Sequence, residues 1–203
     1  MDIALVKQRA FEKLGKRKAH NHRETGFIYY HGVRVAKLVI NLRKLVLPKD
    51  DSMDDILQAA ALFHDVAKGI EPHSQYGSSL VKEMLQDICT VEELEKISEL
   101  IRLHTSRKNG CCDDYSKLLQ DADLLDHFGT IELWMSINYA AIEDENIDFV
   151  IGFYKGKFRE LAAKNRSLLN YEICERIFDE KADFLYKFID RMEIENEGEI
   201  VKL

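Results

Sequence analysis

The stretch Ala59-Ala60-Ala61-Leu62-Phe63-His64-Asp65-Val66-Ala67-Lys68 decides the fold. Its first five residues are apolar at every helical angle, so a helix here has no face to give to water and must be enclosed by neighbours. The spacing predicts a helix over Met53 to Lys68, capped by Asp51 or Ser52 and broken by Gly69 and Pro72. His64 and Asp65 close this most buried element. A carboxylate in such a place needs a compensating positive charge.

Working outward, nearly all the periodic segments have helical spacing. Helices are predicted at Ile3 to Leu14 and at Phe27 to Val46, the second stopped by Pro48. Another is expected to start at a Ser74 cap and end near Ile88. Thr90 with Glu93 reads as a capping box opening a helix to His104, followed by a Gly110-containing loop over Thr105 to Asp114. Further helices are predicted at Tyr115 to His127, Ile131 to Ile142, Phe149 to Ala163 and Tyr171 to Met192, with a frayed acidic end from Glu193 to Leu203. The expectation is an all-α, compact helical bundle without a sheet, forming a single domain.

Composition agrees. The 203 residues are 46% hydrophobic, enough for a real core, while ten Gly and two Pro leave little material for the turns of sandwiches and barrels. A net charge of -7 repels a nucleic-acid duplex but does not bar a small anion from a local cationic or metal-bearing pocket. The cysteines at 89, 111, 112 and 174 form no CxxC pair and read as reduced thiols. Met1 to Lys18 is charged and lacks the apolar region of a signal peptide, and no apolar run suits a membrane span. A cytoplasmic protein is expected, and nothing in the chain specifies an oligomeric state.

Several ionisable residues share the apolar stripes. His31 lies on a face with Val35, Leu38 and Leu42; His104 ends the stripe Leu94, Ile97, Ile101; Asp123 lies inside the run Leu118 to Leu125. Asp65 and Asp123 need a cation, which Arg34, Lys68, Arg102 or a divalent metal would supply, and a metal would also use the inward histidines. Spacing alone leaves these open.

The string Leu62-Phe63-His64-Asp65-Val66-Ala67-Lys68 resembles the signature of the HD-domain metal-dependent phosphohydrolase superfamily. His31-Gly32-Val33-Arg34-Val35 upstream and Gln120-Asp121-Ala122-Asp123-Leu124-Leu125-Asp126 downstream complete the order H, HD, D, in an HD core of about residues 27–128. The stretch Phe153-Tyr154-x-Gly-Lys157 and a late helix with Glu175-Arg176, in a C-terminal extension of about 131–192, resemble a subgroup of small bacterial HD hydrolases that act on nucleotides.

The resemblance implies His31, His64, Asp65 and Asp123 as metal ligands, a set suited to Mn²⁺, Fe²⁺, Co²⁺, Ni²⁺ or Mg²⁺. On an ideal helix His64 and Asp65 diverge by only ~100°, so both reach one ion. His73 and His104 match the extra ligands of the binuclear branch, in which Asp65 bridges two ions; the alternatives are a helix-starting His73 and a phosphate-binding His104. Lys68 is a phosphate contact or a solvated helix end. Asp121 and Asp126 are expected to orient ligands or cap. The implied function is hydrolysis of a nucleotide phosphoester or phosphoanhydride by a metal-activated water. The other readings are a binuclear iron oxygenase and a non-catalytic nucleotide-binding module.

Overall fold

A computed structural model describes residues 1–108 and 112–200, so Gly110 and Cys111 of the predicted loop, and the last three residues of the acidic end, lie outside the described residues. Among the described residues there are ten α-helices and no strand. The chain divides into two compact units, Met1–Asp126 and His127–Leu203.

The first unit is built around α3, Asp54–Phe63, which packs against α1 (Ile3–Leu14), α2 (Phe27–Val46), α5 (Val91–Leu103) and α6 (Asp114–Asp126), while α4 (His73–Leu85) packs on α5. Leu57, Ala59, Ala60, Ala61 and Phe63 are fully enclosed, as an all-apolar helix requires. Burying a side chain the size of Leu57 or Phe63 contributes about 1.5–3 kcal/mol. The run of alanines lets helices approach closely. Gly32 on α2 completes that approach, because a Cβ there would stand 2.9 Å from the carbonyl oxygen of Leu62. His31 is thereby brought against the end of α3.

Helix ends follow local chemistry. Asp2 accepts from the amide of Ala4 at 2.8 Å to start α1. The Thr90–Glu93 capping box opens α5. Two predicted caps are not used. Met53 stands at the N-cap of α3 with no side-chain bond, and the dipole is met instead by Asp54 and Asp55 in the first turn. Pro72, not Ser74, precedes α4, which ends at Leu85.

The largest departure concerns α3, which stops at Phe63 and does not run to Lys68. Residues 64–69 form successive tight turns, closed by bonds from Val66 N to Phe63 O, Lys68 N to Asp65 O and Ile70 N to Ala67 O. Arg17 takes the carbonyls of Val66 and Lys68 on these turns. His64 and Asp65 therefore sit on a turn.

In the second unit α10 (Glu172–Asn196) packs against α7 (Thr130–Ile142), α8 (Ile147–Lys155) and α9 (Lys157–Arg166). The single helix predicted over Phe149 to Ala163 is two, because Gly156 adopts a non-helical conformation (φ -102°, ψ -103°) between them. Residues predicted as frayed from Glu193 continue α10 to Asn196, held by Arg191 to Glu195 at 2.5 Å and by Lys155 to Glu193. Phe128, Phe158 and Phe178 form its aromatic core. Among the described residues no helix is long and apolar enough to cross a membrane.

Candidate metal centre

Three helices and one turn of the first unit converge their ionisable side chains. His31 comes from α2, His64 and Asp65 from the turn after α3, His104 from the end of α5 and Asp123 from α6, all buried. His31 Nε2 is 3.1 Å from His64 Nε2 and 3.3 Å from Asp123 Oδ1; His64 Nε2 is 3.5 Å from Asp123 Oδ1 and 3.9 Å from Asp65 Oδ2. On the other side of Asp65, His73 Nε2 lies 3.5 Å and His104 Nε2 3.8 Å from Oδ1. His31, His64 and Asp65 form one potential ligand group, His64, His104 and Asp123 a second, and Asp65, His73 and His104 a third. Asp65 is thus shared between two neighbouring clusters.

The far nitrogens explain why these rings point as they do. His31 Nδ1 donates to Asp126 Oδ2 at 2.7 Å, His64 Nδ1 to Ala61 O at 2.8 Å, His104 Nδ1 to Ile101 O at 2.6 Å, and His73 Nδ1 to the Glu71 carboxylate at 3.1 Å. A carbonyl or carboxylate only accepts, so in each neutral ring the proton is on Nδ1 and Nε2 carries a lone pair. Four such lone pairs face two carboxylates. His73 Nε2 is buried with no hydrogen-bond partner among the described residues. Acceptors this close to one another require a cation between them. Imidazoles held by an outer carboxylate or carbonyl are the arrangement that metal-binding histidines adopt. The donor set fits a divalent ion.

The family model of the HD domain matches residues 28–127, the segment that contributes every one of these ligands. The chain belongs to the HD-domain family. The HD fold extends to solved structures. A HD-superfamily hydrolase from Bacillus thuringiensis is 23% identical with a TM-score of 0.69, covering 96% of each chain. Bacillus subtilis YpgQ, solved in complex with ADP, is 17% identical with a TM-score of 0.66, covering 95% of this chain and 94% of YpgQ. The Lin1889 protein of Listeria innocua is 21% identical with a TM-score of 0.62, and the match covers both chains fully. Among curated proteins none matches this sequence.

The cations offered by the sequence take different partners in the HD site. Arg34 binds Asp126, with Nε 2.8 Å from Oδ1 and Nη2 2.9 Å from Oδ2, and so fixes the carboxylate that orients His31. Lys68 Nζ is 3.3 Å from Asp65 Oδ2. Arg102 faces away and pairs with Glu99 at 2.5 Å. The residue that sequence reasoning missed is Arg107, whose Nη2 is 2.6 Å from Asp123 Oδ2 and whose Nη1 bonds the carbonyl of Gln120. It lies in an irregular turn sixteen positions before Asp123, where no periodicity points to it.

Electrostatics follow from this packing. Burial lowers the pKa of His31, but hydrogen bonds from it to Asp123 and Asp126 outweigh burial and raise it to about 9. Burial, then repulsion from His64, lowers His104 to about 4. Burial works against ionisation of Asp65, yet His64 and Lys68 hold its pKa at about 2; Asp123 is held well below the usual range by His31 and His64 against the same cost.

In the metal-free protein the cation within the cluster is therefore the proton on His31. A metal must displace it. Below about 9 the proton competes, so metal affinity is expected to fall about tenfold for each unit of pH below that value. Titration with Mn²⁺ at pH 6.5 and 8.5 checks this, and a flat profile contradicts it.

Proposed function

We propose that this HD-domain protein is a metal-dependent phosphohydrolase acting on a phosphoester or phosphoanhydride bond of a nucleotide. The observation that carries the reading is the convergence of His31, His64, Asp65 and Asp123, each imidazole turned so that its lone pair faces the carboxylates. These four residues would hold one ion; Asp65, His73 and His104 would hold a second. A divalent ion supplies Lewis acidity toward a phosphoryl oxygen and lowers the pKa of a bound water.

The chain's own residues do the rest. Asp126 and Arg34 keep His31 oriented, and Arg107 keeps one Asp123 oxygen turned away from the cluster, leaving Oδ1 toward His31 and His64. Lys68, about a third exposed and next to Asp65, reaches a phosphate oxygen. The nucleotide class is supported by YpgQ having been solved with ADP. The setting proposed is the cytoplasm, with a small phosphorylated substrate as partner and no nucleic-acid duplex or membrane.

The test is a panel of nucleotides, cyclic dinucleotides and generic phosphoesters assayed with Mn²⁺, Co²⁺, Ni²⁺ and Mg²⁺. Hydrolysis is expected to vanish with a chelator and return with Mn²⁺ or Co²⁺. Full activity in protein shown by elemental analysis to be demetallated would sink the reading. The shared position of Asp65 also suits the iron oxygenase reading, which bound iron with an absorbance change in air, and no hydrolysis, would favour.

Nuclearity has its own measurement. His73→Ala with His104→Ala is expected to reduce bound Mn²⁺ from two equivalents to one. A single equivalent in the unmodified protein would leave His73 and His104 without a metal role.

A further inference from the structure

Between Glu12 and Glu24 there is no acidic residue, and residues 16–23 bring together Lys16, Arg17, Lys18, His20, His22 and Arg23 in a chain of net charge -7. This segment joins α1 to α2 and is tied to the metal centre at both ends. At one end Arg17 donates to the carbonyls of Val66 and, at 3.3 Å, Lys68, on the turn that carries His64 and Asp65. At the other, the Arg23 guanidinium lies 5.2 Å over the ring of Phe27, which stacks on His31 with centroids 5.8 Å apart. Lys68 stands between the segment and the cluster, its Nζ 3.3 Å from Asp65 Oδ2.

A run of like charges ordinarily spreads into solvent to relieve its own repulsion. Here it is folded against the turn that bears another cation. His20 shows the cost, its pKa lowered by burial and then by Arg23, His22 and Lys68. Lys16 and Lys18 nonetheless remain exposed, so their charges are presented to solvent. Cations crowded beside a cleft raise the local concentration of an anion, and a bound anion relieves their repulsion.

We propose that residues 16–23, together with Lys68, form an anion site for a phosphate chain. The segment holds the phosphates adjoining the one placed at the His/Asp cluster, and the substrate is a nucleoside diphosphate or triphosphate in preference to a monophosphate. This rests on the phosphohydrolase reading above. The physical reason is distance along the surface. A lone phosphate at the cluster would meet the metal ligands and Lys68, whereas contiguous phosphates would also meet the basic segment, whose Arg17 bonds the carbonyl of Lys68.

The test separates the site from the reaction by measuring binding without metal. Inorganic tripolyphosphate and orthophosphate are titrated into the full chain in chelator, by calorimetry. Tripolyphosphate is expected to bind more tightly than orthophosphate, with a preference that shrinks as salt rises. Lys16→Glu with Lys18→Glu should weaken tripolyphosphate binding by about tenfold or more, since two exposed attractions become repulsions. Lys37→Glu with Lys44→Glu, exposed on α2, changes the net charge equally and should weaken it less than about twofold. Equal weakening by both pairs, or no preference for tripolyphosphate, overturns the proposal. Either result is independent of whether hydrolysis is found. Melting curves of both variants matching the unmodified protein show that the charges, and not the fold, were changed.

Discussion

Asp65→Ala is expected to abolish metal binding and hydrolysis together while leaving the metal-free protein close to its original stability. Asp65 belongs to two of the ligand groups, one with His31 and His64 and one with His73 and His104, so its loss removes a ligand from each. As a structural partner it is weakly held. Its contacts to Lys68, His73, His104 and His64 are 3.3, 3.5, 3.8 and 3.9 Å, all longer than the roughly 2.7–2.9 Å of a strong charge-assisted bond. Lys68 is about a third exposed, so solvent screens that pair. The cost of burying the charge, and its repulsion with Asp123, disappear with the side chain. A loss of about 1 kcal/mol is expected, against the roughly 3–5 kcal/mol of breaking a tight buried pair. Thermal unfolding of both proteins in chelator, with metal titrations alongside, decides the matter. A large fall in Tm with unchanged metal affinity would remove Asp65 from the site.

Arg107→Ala has the opposite signature. Asp123 and Arg107 have side chains only 11% and 17% exposed and meet at 2.6 Å, so truncation leaves a buried carboxylate with one partner fewer. The metal-free protein should lose about 3 kcal/mol. Because a divalent ion would then compensate Asp123 from the other side, added Mn²⁺ should stabilise the variant more than it stabilises the unmodified protein. Arg107→Lys keeps the charge but not the planar fork that reaches both Gln120 O and Asp123, and should recover only part of the loss. Denaturant unfolding with and without Mn²⁺ measures all three. Stability of Arg107→Ala equal to the unmodified protein in chelator would show that Asp123 needs no such partner.

The contrast between these two variants separates a residue kept for a ligand from one kept for the ligand's placement. Asp126 belongs with Arg107 in this respect. Its carboxylate accepts from His31 Nδ1 and from Arg34, and it lies three residues after Asp123, one turn along α6.

How much of this was readable in the sequence differs by residue. The all-apolar run Ala59 to Phe63 announced a central helix, because burial on every side leaves no other solution, and α3 is enclosed by α1, α2, α5 and α6. The boundaries of α1 and α2 were legible in apolar spacing, in Pro48 and in a charged edge, since these act within one turn of the chain. The end of α3 was not. There the chain turns over residues 64–69 and meets Arg17, about fifty residues away, through the carbonyls of Val66 and Lys68.

Apolar stripes turned His31, His104 and Asp123 inward, but the candidate ligands were named only through the resemblance of the H, HD, D order to the HD superfamily. Which nitrogen each ring turns inward was decided only by tertiary structure. Sequence alone determined that this chain folds as helices around a buried His-Asp pair, and which inward-facing residues were available to it. Tertiary structure alone decided that Asp126 orients His31, that Arg107 and not Arg102 meets Asp123, and that a basic loop lies across the turn bearing Asp65. The physical reason is range. Periodicity and capping act over a few residues, whereas hydrogen bonds and ion pairs join whatever the packed helices bring within about 3 Å, however distant in the chain.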